Sequence, residues 1–353
     1  MKTILVTGAS GFIGRFLLKE LLQKGHKVFA LLRQPEQQLV TLKTWLSQQQ
    51  VDTSQLQAIY GDLSQANAGI SADDWQTMQQ VTVIYHTAAL FAWNLEVNTA
   101  RQINVTGVLT LLKLAQQHLQ IERVVQVSGY MLSIEQNIRQ LGINNEGKHP
   151  DWLQVYRQVG VYEASKIEAH FAIKRWATEE NIPLTVIHPA TVIGDSQTGE
   201  LASTQGFYQS LVDLFAGKLT AVPAGQGYRL PLVSVDYVTR FLANVIDYNQ
   251  SIGQEYVLAD NKTPDLKTVL TICARSVNVV PPRFVVPIPI LRILLKSSWV
   301  AQTTGLSTEI LHFFRQESLS VDTANQLAMK MGLSQVDLTQ ALAKTTQFVQ
   351  KRV

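Results

Sequence analysis

At 353 residues the chain is long enough to bury a large core, as one α/β domain or as two lobes. Charged residues make up 16%, below the roughly 25% of ordinary soluble domains, the net charge is only +3, and no Lys/Arg block stands out, so no nucleic-acid partner is expected. A single cysteine, Cys273, excludes an internal disulfide and a cysteine-based zinc site, and the seven histidines show no HExxH-like spacing, so no metal is expected.

The chain opens MKTILVTGASGFIG: an apolar strand, Ile4-Leu5-Val6, runs into a glycine-rich turn, and a helical pattern with Phe16, Leu17, Leu18, Leu21 and Leu22 follows at once. A strand, a tight turn and a helix N-terminus present free backbone N–H groups and the positive end of a helix dipole to an anion. Gly8 permits the turn, Gly11 lets the backbone approach a pyrophosphate, and Gly14 lets the helix lie close on the strand, with Ser10, Phe12 and Ile13 completing the cradle. The first strand begins at residue 3 or 4, so no cleavable leader is expected. The most apolar later stretch, 284–301, is interrupted by Pro287, Pro289, Arg292 and Lys296. Its apolar runs fall far short of the roughly 18 residues of a membrane span, so the expectation is a cytoplasmic protein without an integral span.

Gly25 marks a helix end and residues 26–32 read as a second parallel strand, with Arg33 just beyond it. At this position in dinucleotide folds an acidic residue would bind the 2′-hydroxyl of NAD; no Asp or Glu lies between His26 and Pro35, and Arg33 offers a planar cation suited to phosphate. NADP is therefore favoured over NAD. Residues 37–50 read as a surface helix and 56–60 as a third strand, followed by Gly61-Asp62-Leu63, where Asp62 either meets the adenine amino group with Leu63 covering the ring or caps the next turn. A fourth strand, 81–85, ends in His86-Thr87-Ala88-Ala89, small residues across which a cofactor can lie; His86 itself reads as a packed strand-end histidine. One long helix is expected over 98–118, a fifth strand over 123–128, a loop-rich stretch from Gly129 to about Gly160, a helix carrying Tyr162 and Lys166, and a sixth strand over 184–187. This alternation indicates a doubly wound parallel sheet. Beyond Gly194 the rhythm breaks into loops, amphipathic helices and short strands at 231–235 and 255–258, read as a second lobe closing over the cofactor edge. The expected division is a dinucleotide-binding domain over 1–194, with returning segments near 230–260, and a smaller, mostly helical substrate lobe over 195–353.

Tyr162 and Lys166 stand four residues apart, on one face of a helix, and make an acid/base pair in which the ammonium is expected to lower the tyrosine pKa. The motif alone is nearly uninformative, but it falls between the fifth and sixth strands. With TGASGFIG at 7–14, GDL at 61–63, HTAA at 86–89, INVTG at 103–107, the VS strand end at 127–128, YEASK at 162–166 and HPATVIG at 188–194, the chain resembles the extended short-chain dehydrogenase/reductase family. The resemblance covers residues 1 to about 260 and implies a Rossmann-type domain, a nicotinamide cofactor, Tyr162 as proton relay and Lys166 as the group that holds the nicotinamide ribose and tunes Tyr162. It further implies that Thr87, Ala88, Ala89, Asn104, Pro189 and Val192 border the cofactor, that 230–237 is a strand returning to the sheet, and that members dimerise through the helices near 100–118 and 161–178.

Two departures stand out. The family's second hydroxyl at the fifth strand end is Gly129 here, which leaves Ser128, Tyr130 or Ser133 to bond the substrate oxygen, and Ser128 is chosen. The segment 132–160 is an insertion expected to reshape or cover the substrate entrance. Phe91, Trp93, Tyr130, Met131, Phe207 and Tyr208 are the expected apolar substrate contacts, and no close cationic cluster suits a sugar diphosphate. The reading is an NADP-dependent oxidoreductase acting on the carbonyl or alcohol of a hydrophobic aldehyde, ketone or acyl thioester. A sugar-nucleotide epimerase or dehydratase and a non-enzymatic NADP-binding redox sensor are the alternatives.

Overall fold

The fully buried run Ile4, Leu5 and Val6 lies in the strand β1, Thr3–Thr7, at the interior of a parallel sheet. The computed structural model describes residues 1–90, 95–144, 150–219, 221–224, 228–294 and 319–353. After β1 come α1 (Phe12–Gln23), β2 (Lys27–Leu32), α2 (Pro35–Gln48), β3 (Leu56–Tyr60), α3 (Ala72–Thr77) and β4 (Val83–His86). They are followed by α4 (Val97–Arg101), α5 (Val108–His118), β5 (Arg123–Val127), α6 (Glu135–Gln140), α7 (Trp152–Val159), α8 (Val161–Glu179) and β6 (Leu184–Pro189). Then come β7 (Thr191–Ile193), α9 (Gly206–Phe215), β8 (Ala221–Ala224), β9 (Leu232–Ser234), α10 (Val235–Val245), β10 (Glu255–Leu258), α11 (Leu266–Ser276), β11 (Phe284–Pro287) and α12 (Ile288–Leu294). Helices Asp322–Lys330 and Leu338–Gln350 follow.

The main sheet has seven strands in the order β10-β6-β5-β4-β1-β2-β3. The order reverses direction between β1 and β4, where Ile4 pairs with Val83 and, on the other side, with Val28. In open α/β sheets the crevice beyond the carboxyl ends of such a pair is where ligands bind. Apolar side chains from α3, α5 and α8 cover one face, with Trp75, Leu111, Leu112, Ile173 and Trp176 among them. No helix among the described residues is long and apolar enough to cross a membrane.

The chain forms two compact units. The first comprises Met1–His188 and Thr239–Tyr256, and the second Pro189–Val238 and Val257–Val353. In the second unit, β7 pairs with β9 and β8 pairs with β11, each as a separate parallel two-stranded sheet. This corrects the reading of 230–237 as a strand returning to the main sheet: Leu232–Ser234 pairs with Thr191–Ile193, and the seventh strand of the main sheet is Glu255–Leu258.

Two further corrections concern the first unit. The expected single helix over 98–118 is interrupted by a π-helical segment, Gln102–Gly107, between α4 and α5. There Gly107 meets Leu63 so closely that a Cβ would overlap the Leu63 carbonyl. The stretch read as loop after Gly129 is largely helical, with a 3₁₀ turn at Tyr130–Ser133 followed by α6 and α7. The reason is an apolar cluster of its own: Ile138, Ile143, Val155, Tyr156 and Val159 pack on Ala164, Ile167 and Phe171 of α8. A buried polar knot pins it: Tyr156 donates to Glu168 Oε2 at 2.9 Å, and Arg101 grips the same carboxylate in a fork at 2.6–3.2 Å.

Candidate active site

The glycine turn has the geometry of an anion cradle. Gly8 has φ +68°, in the left-handed region, and a Cβ there would stand 2.6 Å from the Ala88 nitrogen and 2.8 Å from Thr87 Oγ1. A Cβ on Gly14 would overlap the Gly8 carbonyl, so only glycine lets α1 lie this close. Gly11 caps α1 without a side-chain bond, and the first turn carries no acidic residue. The leading N–H groups of α1, from Phe12 to Gly14, therefore lack helical acceptors and face the dipole's positive end outward. These features fit the pyrophosphate of a dinucleotide.

The adjoining strand end is stitched to this turn. Thr87 Oγ1 donates to the Thr7 carbonyl at 2.7 Å, and Thr7 Oγ1 shares a 2.9 Å hydrogen bond with His86 Nδ1. His86 is buried; burial first, and the Lys166 charge second, push its pKa down to about 3, so it is a neutral packing group as the sequence indicated. Thr87 and Ala88 are half-buried and Ala89 is exposed. Asn104, on the π-helical segment, spends its whole amide inside the protein: Oδ1 accepts from Leu90 N at 2.7 Å, while Nδ2 donates to the Leu90 carbonyl and to Ser165 Oγ. Ser165 Oγ in turn donates to the Tyr162 carbonyl at 2.8 Å. Asn104 is thus a strut between the small-residue turn and α8.

At the far side of the sheet, Arg33 is exposed just past β2. Burial alone would raise the Asp62 carboxyl; the Ser64 backbone N–H and hydroxyl, with the Arg33 cation behind them, bring it below its ordinary range. Asp62 Oδ1 accepts both Ser64 bonds, at 2.9 and 2.7 Å, which is the turn-capping role. Leu63 packs against the core cluster.

Ser128, Tyr162 and Lys166 lie in the first unit, at the end of β5 and the start of α8. Ser128 is buried, and its Oγ has no hydrogen-bond partner. Its backbone is fixed from several directions. Ser128 N donates to the Ile187 carbonyl at 2.8 Å, Lys166 Nζ donates to the Val127 carbonyl at 3.0 Å, and the Gly129 carbonyl accepts from Leu132 N and meets His188 Nδ1 at 3.0 Å. The expectation that Lys166 lowers the Tyr162 pKa is corrected: burial, and then the Glu163 charge, push the phenol up to about 12. Burial brings Lys166 down to about 8. Its ammonium is engaged with the Val127 peptide instead.

Tyr130 and Met131 are buried in the 3₁₀ turn directly after Gly129, and Ser133 Oγ donates to the Tyr130 carbonyl. Pro189, Val192, Phe207 and Tyr208 belong to the second unit: Val192 is buried in β7, Phe207 is buried and Tyr208 half-buried in α9. Phe91 and Trp93 lie outside the described residues. The sequence reading missed Glu255 and His170, which gather with His188 in the first unit. The signal was present in α8, where Tyr162, Lys166, His170 and Lys174 recur every four residues and so share one face.

A family model described as Male sterility protein, an NAD-binding family, matches residues 6–242. Among curated proteins, the large subunit of L-2-aminoadipate reductase from Penicillium chrysogenum is 28% identical over 214 residues, 56% of this chain and 15% of that protein. Fatty acyl-CoA reductase wat from Drosophila melanogaster is 24% identical over 312 residues, 76% of this chain and 59% of that protein. The chain thus spans less than two thirds of either relative. Among solved structures, the terminal R domain from the myxalamid PKS-NRPS biosynthetic pathway superposes with a TM-score of 0.78 at 20% identity, covering 100% of this chain and 91% of that one, which is a likeness of fold.

Proposed function

We propose a function from one premise: the chain belongs to the NAD-binding family described as Male sterility protein, within the extended short-chain dehydrogenases/reductases. The reading is NADP-dependent reduction of the carbonyl of a hydrophobic small molecule, an aldehyde, ketone or acyl thioester. The observation that carries it is the Ser128 hydroxyl, buried, unpartnered, and held on a backbone whose flanking carbonyls are both bound. A buried hydroxyl left without a partner costs about 1–3 kcal/mol, and a substrate oxygen would supply the missing bond.

NADPH, when bound, supplies the hydride. The uncapped N-terminus of α1 holds its pyrophosphate, and Arg33 favours the 2′-phosphate. Ser128 donates a hydrogen bond to the carbonyl oxygen, polarising it and stabilising the negative charge that develops there. Tyr162 then gives its proton to that oxygen. A phenol held up at about 12 stays protonated at neutral pH, the form a reductase needs, and an alkoxide is basic enough to take the proton. Lys166 and Asn104 act as positioning groups, the first on the peptide before Ser128 and the second on the backbone of Tyr162 through Ser165. With a thioester the same hydride addition expels the thiol and leaves an aldehyde, and the names of the acyl-CoA and aminoadipate reductases among the relatives favour such carboxyl-level substrates.

The test is a panel of medium- and long-chain aldehydes, ketones and acyl-CoA thioesters offered with NADPH or NADH, following loss of dihydronicotinamide absorbance. Stoichiometric consumption of NADPH supports the reading; turnover without net consumption would favour an epimerase or dehydratase. The reading includes a homodimer through the helices near 100–118 and 161–178. Sedimentation velocity decides that point.

A further inference from the structure

Beneath the Lys166 turn of α8, three side chains from three elements converge: His170 from α8, His188 from β6 and Glu255 from β10. His188 is 1% exposed. Its Nε2 is 2.7 Å from Glu255 Oε2 and its Nδ1 is 3.0 Å from the Gly129 carbonyl oxygen. A carbonyl oxygen can only accept a hydrogen bond, and so can an ionised carboxylate. Lys174 Nζ lies 2.5 Å from Glu255 Oε1, which holds the carboxylate in its ionised form. Both ring nitrogens of His188 therefore face acceptors, and a neutral imidazole has a hydrogen for only one of them.

We propose that His188 stands as a doubly protonated imidazolium between Glu255 and the Gly129 carbonyl, and that this clamp is the positioning device that orients the Ser128 hydroxyl. The two peptides that flank Ser128 are then each held by a cation, Lys166 on the Val127 carbonyl and His188 on the Gly129 carbonyl. The buried charge has its counter-charge in contact, as a buried cation requires. His170 lies with its ring centroid 5.5 Å from that of His188, and its Nε2 is 3.7 Å from Glu255, too long for a hydrogen bond. Burial, and then the charge of His188, outweigh the upward pull of Glu255, and with Lys174 and Lys166 they bring His170 down to about 3, so it stays neutral. Burial works to raise Glu255, but the bond and the charge of His188 and the bond from Lys174 hold it well below the usual carboxylate range.

The inference rests on the proposed reduction only for its effect on turnover; the protonation state is read separately. Nitrogen NMR of ¹⁵N-histidine-labelled protein at about pH 7.5, where an ordinary histidine is mostly neutral, should show one side chain with both ring nitrogens protonated. That signal should vanish in His188→Gln, and the His170 signal, assigned with His170→Gln, should be neutral. In Glu255→Gln, His188 should lose one ring hydrogen. In turnover, His188→Gln should lower kcat by about ten- to a hundredfold, the scale of a misplaced reacting group, with KM for NADPH unchanged. A neutral His188 in the unmodified protein overturns the proposal, as does unchanged kcat in a folded His188→Gln. Stoichiometric binding of Zn²⁺ that shifts both His170 and His188 also overturns it and makes the cluster a metal site. If Tyr162→Phe keeps full activity, the proposed reduction fails while the NMR result still judges the clamp.

Discussion

Replacing Ser128 by alanine should move stability and activity in opposite directions. The Ser128 Oγ is buried without a partner, so the folded protein carries its desolvation cost uncompensated. Such a hydroxyl costs about 1–3 kcal/mol; the small void left by one oxygen recovers part of that, so Ser128→Ala should be as stable as the parent or more stable by about 1 kcal/mol. The backbone bonds on both sides, from Lys166 and His188, do not involve the side chain and should persist. Catalysis should suffer in the other sense. Loss of one preorganised donor at a developing oxyanion lowers kcat by about 10²–10³, with little change in KM for NADPH. Urea denaturation monitored by tryptophan fluorescence and steady-state kinetics on the best carbonyl substrate measure the two quantities on one preparation. A variant that is destabilised by more than about 1 kcal/mol, a large share of a normal single-mutation effect, and keeps its kcat would mean that the hydroxyl is structural and the reasoning is wrong.

Other substitutions test separate parts of the account. Gly14→Val should abolish NADPH binding and destabilise the first unit, because its Cβ would overlap the Gly8 carbonyl; cofactor fluorescence titration and thermal melting read both. Arg33→Asp should weaken NADPH selectively, and an equal loss for NADH would reject the role given to that cation. Lys166 has a folded pKa of about 8, below its ordinary 10.5, so the unfolded chain binds more protons at this site and Lys166 contributes a rise of stability with pH, read between about pH 8 and 9, below the range in which the raised Cys273 and Tyr162 act in the opposite sense. Lys166→Met should remove that rise, measured as the difference in denaturation free energy between the two ends of the window. Tyr156→Phe should loosen α7, since the lost bond to the buried Glu168 carboxylate is worth about 1.5–3 kcal/mol, and amide exchange should quicken across α6 and α7 while α1 is unchanged.

Much of the first unit was legible because its signals are local. The apolar run of β1, the glycines whose Cβ positions are blocked and the helix after them are read from neighbouring residues alone, and the third strand, Leu56–Tyr60, agrees residue for residue. The insertion was not legible, because α6 and α7 are short and gain their order from packing on α8, a contact between segments that the sequence does not pair. The same holds for Leu232–Ser234, whose pattern suits any partner strand. At the site, the Tyr162–Lys166 spacing was visible, but the phenol's environment was not. Burial and Glu163 decide its pKa, and Lys166 reaches past it to Val127. His188, His170 and Glu255 come from three elements far apart in the chain and meet only once the sheet order is known.

The central claim is that Tyr162 and Ser128 serve a net hydride transfer from NADPH to a carbonyl carbon. The most direct measurement uses NADPH carrying deuterium at the transferable position, with a hydrophobic aldehyde or acyl thioester, for the parent protein and for Tyr162→Phe. The account predicts deuterium bonded to the former carbonyl carbon of the product, one NADPH consumed for each hydride delivered, and a loss of this product in the variant. Product formed without deuterium, or with full yield in Tyr162→Phe, would contradict it.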